Sequence, residues 1–399
     1  MTETCLSPSV FAPDAESHTD PAPFISVIVP VRNEAPFIEK TLRQLLDQDY
    51  DRDRFEVLVA DGQSTDGTQD LVRRLAAEHP QVRLLANPKR WSSAGRNVAV
   101  RTARGALIVV VDGHCDLNNP GYLRNLADAF ARSGADCIGR PQPLDISQAT
   151  PLQRAIAAAR ASRLGHNPAS YIYSSLECFV RPQSVAVAYR REVFEKIGLF
   201  DESFDACEDV EFNHRLERAG MTCYFTPRVG VRYHPRNSLA GLFRQMIRYG
   251  RGRVRLLRKH PESLSIPCLL PALFLLGLMV GPVVAKLSPL LAGAYFGALS
   301  IYGGSILLSS FALSVRGRDL AALPWLPFVF AAVHAGAGVG VVLEFLMGKK
   351  PEPMPQPAYA VQALRVVAYQ PEAGEENRTE MDDSPLTLPL APRNLAKGA

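Results

Sequence analysis

From residue 24 onward the chain alternates short apolar runs with amphipathic stretches. FISVIVPV (24–31) is a β-branched run of the kind that forms a strand buried on both faces. APFIEKTLRQLLDQ (35–48) then sets Phe37, Leu42, Leu45 and Leu46 at helical spacing. FEVLVAD (55–61) predicts a second buried strand, and DGTQDLVRRLAAEHP (66–80) a helix whose start Thr65 or Asp66 would cap. VRLLAN (82–87) reads as a third strand, AGRNVAVRTARG (94–105) as a helix stopped by Gly105, and ALIVVVD (106–112) as a fourth strand. This alternation argues for a parallel α/β sheet of the nucleotide-binding kind, with ligands at the carboxyl ends of its strands.

The pattern changes near residue 260. Three mostly apolar windows follow, at 266–285, 289–313 and 322–347, the last interrupted by Pro324 and Pro327. About 20 apolar residues suffice to span a bilayer. Small residues in GGS (303–305) and AGAGVG (335–340) suit close helix packing in lipid. A buried helical core would give similar windows, but three in tandem with basic flanks favour about three transmembrane helices over 264–348. Ahead of them, LAGLFRQMIRYGRGRVRLLRKH (239–260) sets Leu239, Leu242, Phe243, Met246 and Tyr249 near one helical face. Arg244, Arg248, Arg251, Arg255, Arg258 and Lys259 crowd around them. Such a basic amphipathic helix is a solvated face or a segment lying on lipid headgroups, and its place before an apolar run favours the second. Its charge orients the first span with its amino end in the cytoplasm. Lys349 and Lys350 after the third window pull against a tail on the far side.

Charge adds an exclusion. With 44 basic and 40 acidic residues the net charge of +4 is too balanced for a nucleic-acid binder. The seven cysteines form no CxxC pair and no zinc spacing, so buried, reduced thiols in the cytosol are expected. The first 23 residues have no basic start followed by an apolar core, so no secretory signal is expected there, and the part ahead of the apolar windows is expected in the cytoplasm. They and the tail at 349–399, with PEPMPQP and EAGEENRTEMDDSP, have the composition of disordered segments.

The candidate chemistry is acidic. Asp61 and Asp112 each end a strand and would project into one crevice, unless they merely cap turns. After Asp112 the chain reads DGHCD, with His114 two positions on and Asp116, a plain loop aspartate, four positions on. No GxGxxG or GxxxxGK[ST] follows any strand, which removes the main support for dinucleotide and P-loop readings. Further on, CEDVEFNHRL (207–216) places Glu208 and Asp209 side by side before a helix. One of these carboxylates can face the crevice while the other braces the backbone or an arginine; acidic enrichment of a helix start is the plainer alternative.

VIVPVRNE (27–34), ADGQSTDGT (60–68), AGRN (94–97), DGH (112–114) and CEDVEFNHRL recur in the order and approximate spacing of the family 2 glycosyltransferases with the GT-A fold. The resemblance covers roughly 24–260 and is specific as a set, no single motif sufficing. Within that family the chain is most similar to bacterial succinoglycan-type glucosyltransferases, in which YRREVFEKIG, FDESF, ACEDVEFNHR and YHPRNSL (233–239) lead into terminal membrane helices. The resemblance implies a GT-A, Rossmann-like domain over 24–238, a basic interface helix over 239–260 and the apolar helices after it.

It also implies roles. Pro30, Val31 and Glu34 would line the nucleotide pocket, Asp61 would recognise the base, and Arg96 would sit near the pocket wall, although Gly95 stands where the family usually has alanine. Asp112 matches the first aspartate of the DxD motif, which holds the nucleotide sugar and its divalent cation, and His114 stands where the second usually is. Imidazole is an acceptable ligand for Mn²⁺ and a poorer one for Mg²⁺. Asp209 matches the catalytic base and Glu208 its partner. Gln245, Arg248 and Tyr249 form QMIRY, a variant of the QxxRW motif of processive synthases, with tyrosine in place of the tryptophan that stacks on the acceptor sugar.

The expected protein is therefore a membrane-anchored inverting glycosyltransferase of the inner membrane. It would move a sugar, glucose being the first candidate, from a nucleoside diphosphate sugar (a UDP-sugar) to a lipid-linked saccharide, with Mn²⁺ or Mg²⁺ as cofactor. The product would be a cell-surface polysaccharide or glycolipid, made with other polysaccharide-assembly proteins as partners. Two alternatives stand beside it: a processive polysaccharide synthase, and an inactive scaffold of an assembly complex.

Overall fold

Four consecutive apolar runs become the parallel half of one eight-stranded sheet. In the computed structural model, which describes residues 22–348 apart from 118, 167–169 and 265, these are β1 (Ile25–Val31), β2 (Phe55–Asp61), β3 (Val82–Ala86) and β4 (Leu107–Val110). Helices α1 (Ile38–Leu46), α2 (Thr68–Glu78) and α3 (Ser92–Thr102) alternate with them. Every residue of β2 is buried, and β1 is buried but for partly covered Pro30, as a strand sandwiched between helical layers requires.

The remaining elements of the α/β domain are β5 (Cys115–Asp116), α4 (Tyr122–Ser133), β6 (Cys137–Gly139), α5 (Pro151–Arg160), β7 (Cys178–Val180), β8 (Ala186–Arg190), α6 (Arg191–Ile197), α7 (Glu208–Arg218), β9 (Cys223–Phe225) and β10 (Arg232–Tyr233). The sheet order is β3-β2-β1-β4-β8-β6-β9-β7, parallel through β3, β2, β1 and β4, with β8 antiparallel between β4 and β6. β10 pairs separately and antiparallel with β5, so it lies against the segment that follows Asp112. Cores lie on both faces, one built on Val27, Val29, Leu42 and Phe130, the other on Ile28, Leu58, Phe194 and Phe212. Cys115, Cys137, Cys178, Cys207 and Cys223 are all buried.

Four helices complete the described chain: α8 (Leu239–Lys259), α9 (Ile266–Val284), α10 (Pro289–Arg316) and α11 (Leu326–Met347). By length and composition alone, α10 and α11 can cross a membrane, while α9 has a shorter apolar run over its described side chains, Leu269–Val284. Pro327 does not interrupt α11: it sits in the first turn, where a missing N–H costs nothing. α11 is packed along α8 through glycines. A Cβ on Gly340 would lie 2.2 Å from the Ile247 carbonyl, and one on Gly250 would lie 2.3 Å from that of Ala337, so only hydrogen fits at either contact. The tails read as disordered, Lys349 and Lys350 included, fall almost wholly outside the described residues.

Candidate active site

The crevice begins where β1 and β2 end. Val31 and Asp61 are register partners, so the two strand termini present their side chains together. The Ser64 backbone N–H (3.0 Å) and Gln69 Nε2 (2.7 Å) donate to Asp61 Oδ2, while buried Oδ1 has no partner among the described residues. Asn87 Oδ1 is likewise buried without a donor. Both residues line a cleft of about 320 Å³ with Gln63, Gln69, Arg73 and Leu85. Two unpaired acceptors in one cleft suit a ligand edge that carries N–H donors. Pro30 lies on the other side of this wall: a methyl on Gly95 would sit 3.3 Å from its Cβ and 3.0 Å from Asn87 Nδ2, a tight fit that glycine relieves.

Asp112 follows β4, and Gly113 lets the turn pass against Val31, since a Cβ there would lie 2.7 Å from Val31 Cγ1. The Tyr233 hydroxyl donates to Asp112 Oδ2 (2.8 Å), which leaves Oδ1 for another partner. His114 Nδ1 lies 3.0 Å from Glu34 Oε1, so Glu34 orients the ring and leaves Nε2 available. Burial pushes the Asp112 pKa up, but His114, Arg96, the Tyr233 hydroxyl and Arg140 outweigh it and hold the carboxyl below its ordinary value. Burial pushes His114 down, and the Glu34 hydrogen bond with the Asp112 charge outweighs that, leaving it raised. Asp116 is occupied elsewhere, by Lys40 Nζ and Gln44 Nε2, each at 2.6 Å.

The second pair of carboxylates opens α7. Cys207, just before it, adopts a left-handed backbone conformation (φ 64°) that turns the chain into the helix. Glu208 points inward: it is buried and lies 3.3 Å from Arg96, which also packs on the Phe200 ring. Asp209 points out, exposed, its Oδ1 accepting from the adjacent Val210 N–H. Arg96 is thus an internal brace. Burial lowers its pKa, but the charges of Glu208, Asp209 and Asp112 together raise it above its ordinary value, so it stays cationic. One guanidinium thus lies within electrostatic reach of all three carboxylates and in direct contact with Glu208.

α8 closes the site from the side of the apolar helices. Arg248 Nη2 donates to the Asp205 carbonyl (2.7 Å), tying this helix to the loop that leads into Asp209. Gln245 Nε2 donates to the Tyr249 hydroxyl (3.2 Å), and the Arg160 guanidinium lies 5.7 Å from the centre of the exposed Tyr249 ring. Three residues without a role in the sequence reading enter here: Tyr233, Arg140 and Asp205. Tyr233 carried the only signal, as the first residue of YHPRNSL. Arg140 is wholly buried and holds the Val110 carbonyl (3.0 Å) at the end of β4 together with the Tyr122 hydroxyl.

Comparison with known proteins gives concordant matches. A model of glycosyl transferase family 2 matches residues 26–198. Over 247 residues the chain is 33% identical to the succinoglycan biosynthesis protein ExoA of Rhizobium meliloti (strain 1021), which covers 61% of this chain and 73% of that protein. It is 27% identical over 317 residues to a dolichyl N-acetyl-alpha-D-glucosaminyl phosphate 3-beta-D-2,3-diacetamido-2,3-dideoxy-beta-D-glucuronosyltransferase of Methanococcus voltae, over 77% of this chain and 93% of the other. In fold, it superposes on a mannosyltransferase from Pyrobaculum calidifontis, solved with GDP-Man and Mn²⁺, with a TM-score of 0.51 at 23% identity, over 83% of this chain and 89% of that one. A Rossmann-like GT-A sheet, apolar helices after it and a relative a third identical over most of its length agree: the chain belongs to glycosyl transferase family 2 and is a glycosyltransferase.

Proposed function

We propose that the protein transfers a sugar, with inversion, from a nucleoside diphosphate sugar to a lipid-linked saccharide at the cytoplasmic face of the inner membrane, in the biosynthesis of a cell-surface polysaccharide or glycolipid. The observation that carries this reading is the exposed Asp209 carboxylate, which shares the electrostatic reach of Arg96 with Asp112, with the open ring of Tyr249 on the helix that grips its loop. A UDP-sugar is the proposed donor, with glucose the first sugar to test because the sequence resembles succinoglycan-type glucosyltransferases.

In this reading Asp61 and Asn87 receive the base, and Pro30 and Val31 wall the pocket. The donor set of one Asp112 oxygen and His114 Nε2, with Glu34 behind the imidazole, fits a divalent cation that accepts nitrogen, and Mn²⁺ more readily than Mg²⁺. Bound there, such a cation supplies positive charge opposite the diphosphate. Asp209 takes the proton of the acceptor hydroxyl as that oxygen bonds to the anomeric carbon. The bond from that carbon to the diphosphate oxygen breaks on the opposite face, and its electron pair leaves with the nucleoside diphosphate. Arg96 holds Glu208 so that Asp209 stays turned outward. Tyr249, steadied by Gln245 and Arg160, offers its face to the acceptor sugar, and Arg248 fixes the loop that bears the base.

The experiment is release of nucleoside diphosphate by detergent-purified protein and its Asp209→Asn variant, given a panel of nucleotide sugars, a lipid extract and either Mn²⁺ or Mg²⁺. Turnover with one donor that the variant loses supports the proposal. Equal release by both proteins from every donor overturns it. Product length then separates a single addition from a ladder.

A further inference from the structure

Composition alone would give α11 a membrane crossing. Its contacts say otherwise, because both of its ends are fastened to elements of the catalytic side. At its start, Leu326, Val329 and Phe330 share a core with Ala155 and Ile156 of α5 and Leu242 of α8. Just ahead of it, Asp319, in the connection from α10, takes a two-pronged contact from Arg154 of α5, with Oδ2 at 2.6 Å from Nε and Oδ1 at 3.2 Å from Nη2. At its other end, Glu344 is 1% exposed and receives Arg251 Nε (2.8 Å) and Arg255 Nε (2.9 Å) from α8. Between these anchors Gly336 and Gly340 seat α11 on the backbone of α8 over residues 243–247. His334, midway, lies 2.8 Å from the Leu164 carbonyl beyond α5. A helix that runs beside α8 for its whole length shares the plane of α8, and α8, with seven basic residues, belongs at the headgroups.

α9 and α10 behave differently. α9 starts next to the catalytic domain, after Glu262, which binds Arg218 of α7 at 2.7 Å. It leaves that side and α10 returns, as a Cβ on Gly281 meeting the Tyr295 ring and the Phe274 and Tyr302 rings at 4.0 Å show. The turn between them carries exposed Leu287, and α10 exposes Leu290 in its first turn and Phe296, Ile301, Leu308 and Phe311 further along. At 1.5 Å per residue the 19 residues of α9 reach about 28 Å and the 28 of α10 about 42 Å, against a hydrocarbon core of about 30 Å. If α10 and α11 were the two spans, the α10–α11 connection would lie across the membrane from Arg154, to which Asp319 is bound.

We propose that α9 and α10 form a hairpin that crosses the bilayer twice, while α11 lies in the membrane plane beneath α8, so that its last residue, Met347, lies on the side of the catalytic domain. The proposal rests on the reading of the protein as membrane-bound. It predicts what the lipid meets: Phe328, Phe345, Leu346 and Met347 of α11, all exposed, face the acyl chains at shallow depth. The same packing places α11 beneath the helix that carries Gln245, Arg248 and Tyr249, so a lipid-borne acceptor reaches those residues past α11.

The test uses full-length protein in sealed membrane vesicles of both orientations and a thiol reagent that does not cross lipid, with the parent as blank. Three variants carry one added cysteine each: Arg181→Cys on the exposed catalytic surface, Leu287→Cys at the hairpin tip, and Ala399→Cys at the chain end. Arg181→Cys and Ala399→Cys should label from one face and Leu287→Cys from the other. Ala399→Cys labelling with Leu287→Cys would mean three crossings, and Leu287→Cys labelling with Arg181→Cys would mean that α9 does not cross; either overturns the proposal. Release of the parent by alkaline carbonate would overturn the membrane reading itself, a separate outcome.

Discussion

Asp209→Asn and Glu208→Gln change neighbouring carboxylates by the same few atoms, and the geometry requires opposite consequences. Asn at 209 keeps the size and the acceptor oxygen that Val210 N–H uses, on an exposed side chain, so stability should stay within about 0.5 kcal/mol of the parent. It removes the proton acceptor, so turnover should fall by about 10² to 10⁴, or about 3 to 5.5 kcal/mol of barrier. Gln at 208 strips the countercharge from Arg96, 3.3 Å away, with both side chains about nine-tenths buried. The lost attraction is about 5 kcal/mol at an effective dielectric constant near 20. The carboxylate no longer pays its own desolvation, yet the guanidinium stays buried with its Nε unpartnered, and a broken buried pair costs about 3 to 5 kcal/mol. Donor turnover and thermal melting of the two variants in detergent would therefore dissociate: one inactive and stable, the other destabilised. Asp209→Asn turning over at more than about a tenth of the parent rate, or Glu208→Gln melting like the parent, would refute the assignment of base and brace.

Other expectations follow from the same contacts. Gly340→Ala puts a methyl 2.2 Å from the Ile247 carbonyl and should cost about 1 to 3 kcal/mol in melts, whereas Gly303→Ala, with open space around it, should not. Glu211 has its pKa held below 4.5, since His260, Arg215 and Lys259 outweigh the upward push of burial. Its ionised form thus stabilises the fold fully above that value and progressively less as pH falls below it, so the denaturation penalty of Glu211→Gln should be constant near neutrality and shrink in acid. His114→Asp should raise turnover with Mg²⁺ relative to Mn²⁺, because an oxygen replaces the imidazole nitrogen; an unchanged ratio would remove His114 from the cation site.

The parallel half of the sheet was legible because strands buried on both faces are mostly apolar, as FEVLVAD is but for Glu56 and its closing Asp61, and the carboxylates at the ends of β2 and β4 were legible because strand ends fix where they point. Strands of three residues such as β6, β7 and β9 carry too few positions for any period to register. The start of α2 differed from expectation because Gly67, at φ 93°, takes the cap position, while Asp66 Oδ1 receives Thr68 N–H at 3.1 Å. Tyr233 and Arg140 reach Asp112 and the end of β4 through long-range contacts that no local pattern encodes. The arginines of α8 read as a headgroup face, yet Arg251 and Arg255 turn to Glu344. The clue was the one carboxylate inside the last apolar window.

That carboxylate explains how the catalytic loop is held. Arg255 binds Glu344 and also Asp205, four residues before Asp209, and Arg248, about two turns earlier on the same face of α8, holds the Asp205 carbonyl. At Gly252 the backbone of α8 touches the loop, where any Cβ would lie 2.7 Å from Cys207 Sγ. Further along, Lys259 and His260 grip Glu211 of α7, at 2.8 and 3.0 Å. α8 therefore fixes the start of α7 over several turns, and α11 fixes α8. In the proposed reaction the depth at which a lipid-borne hydroxyl meets its base is then set by how these two helices lie in the bilayer surface. Loosening Glu344 should impair transfer to a lipid-linked acceptor more than slow hydrolysis of the donor by water, which needs the same sheet-end residues but no acceptor from the membrane.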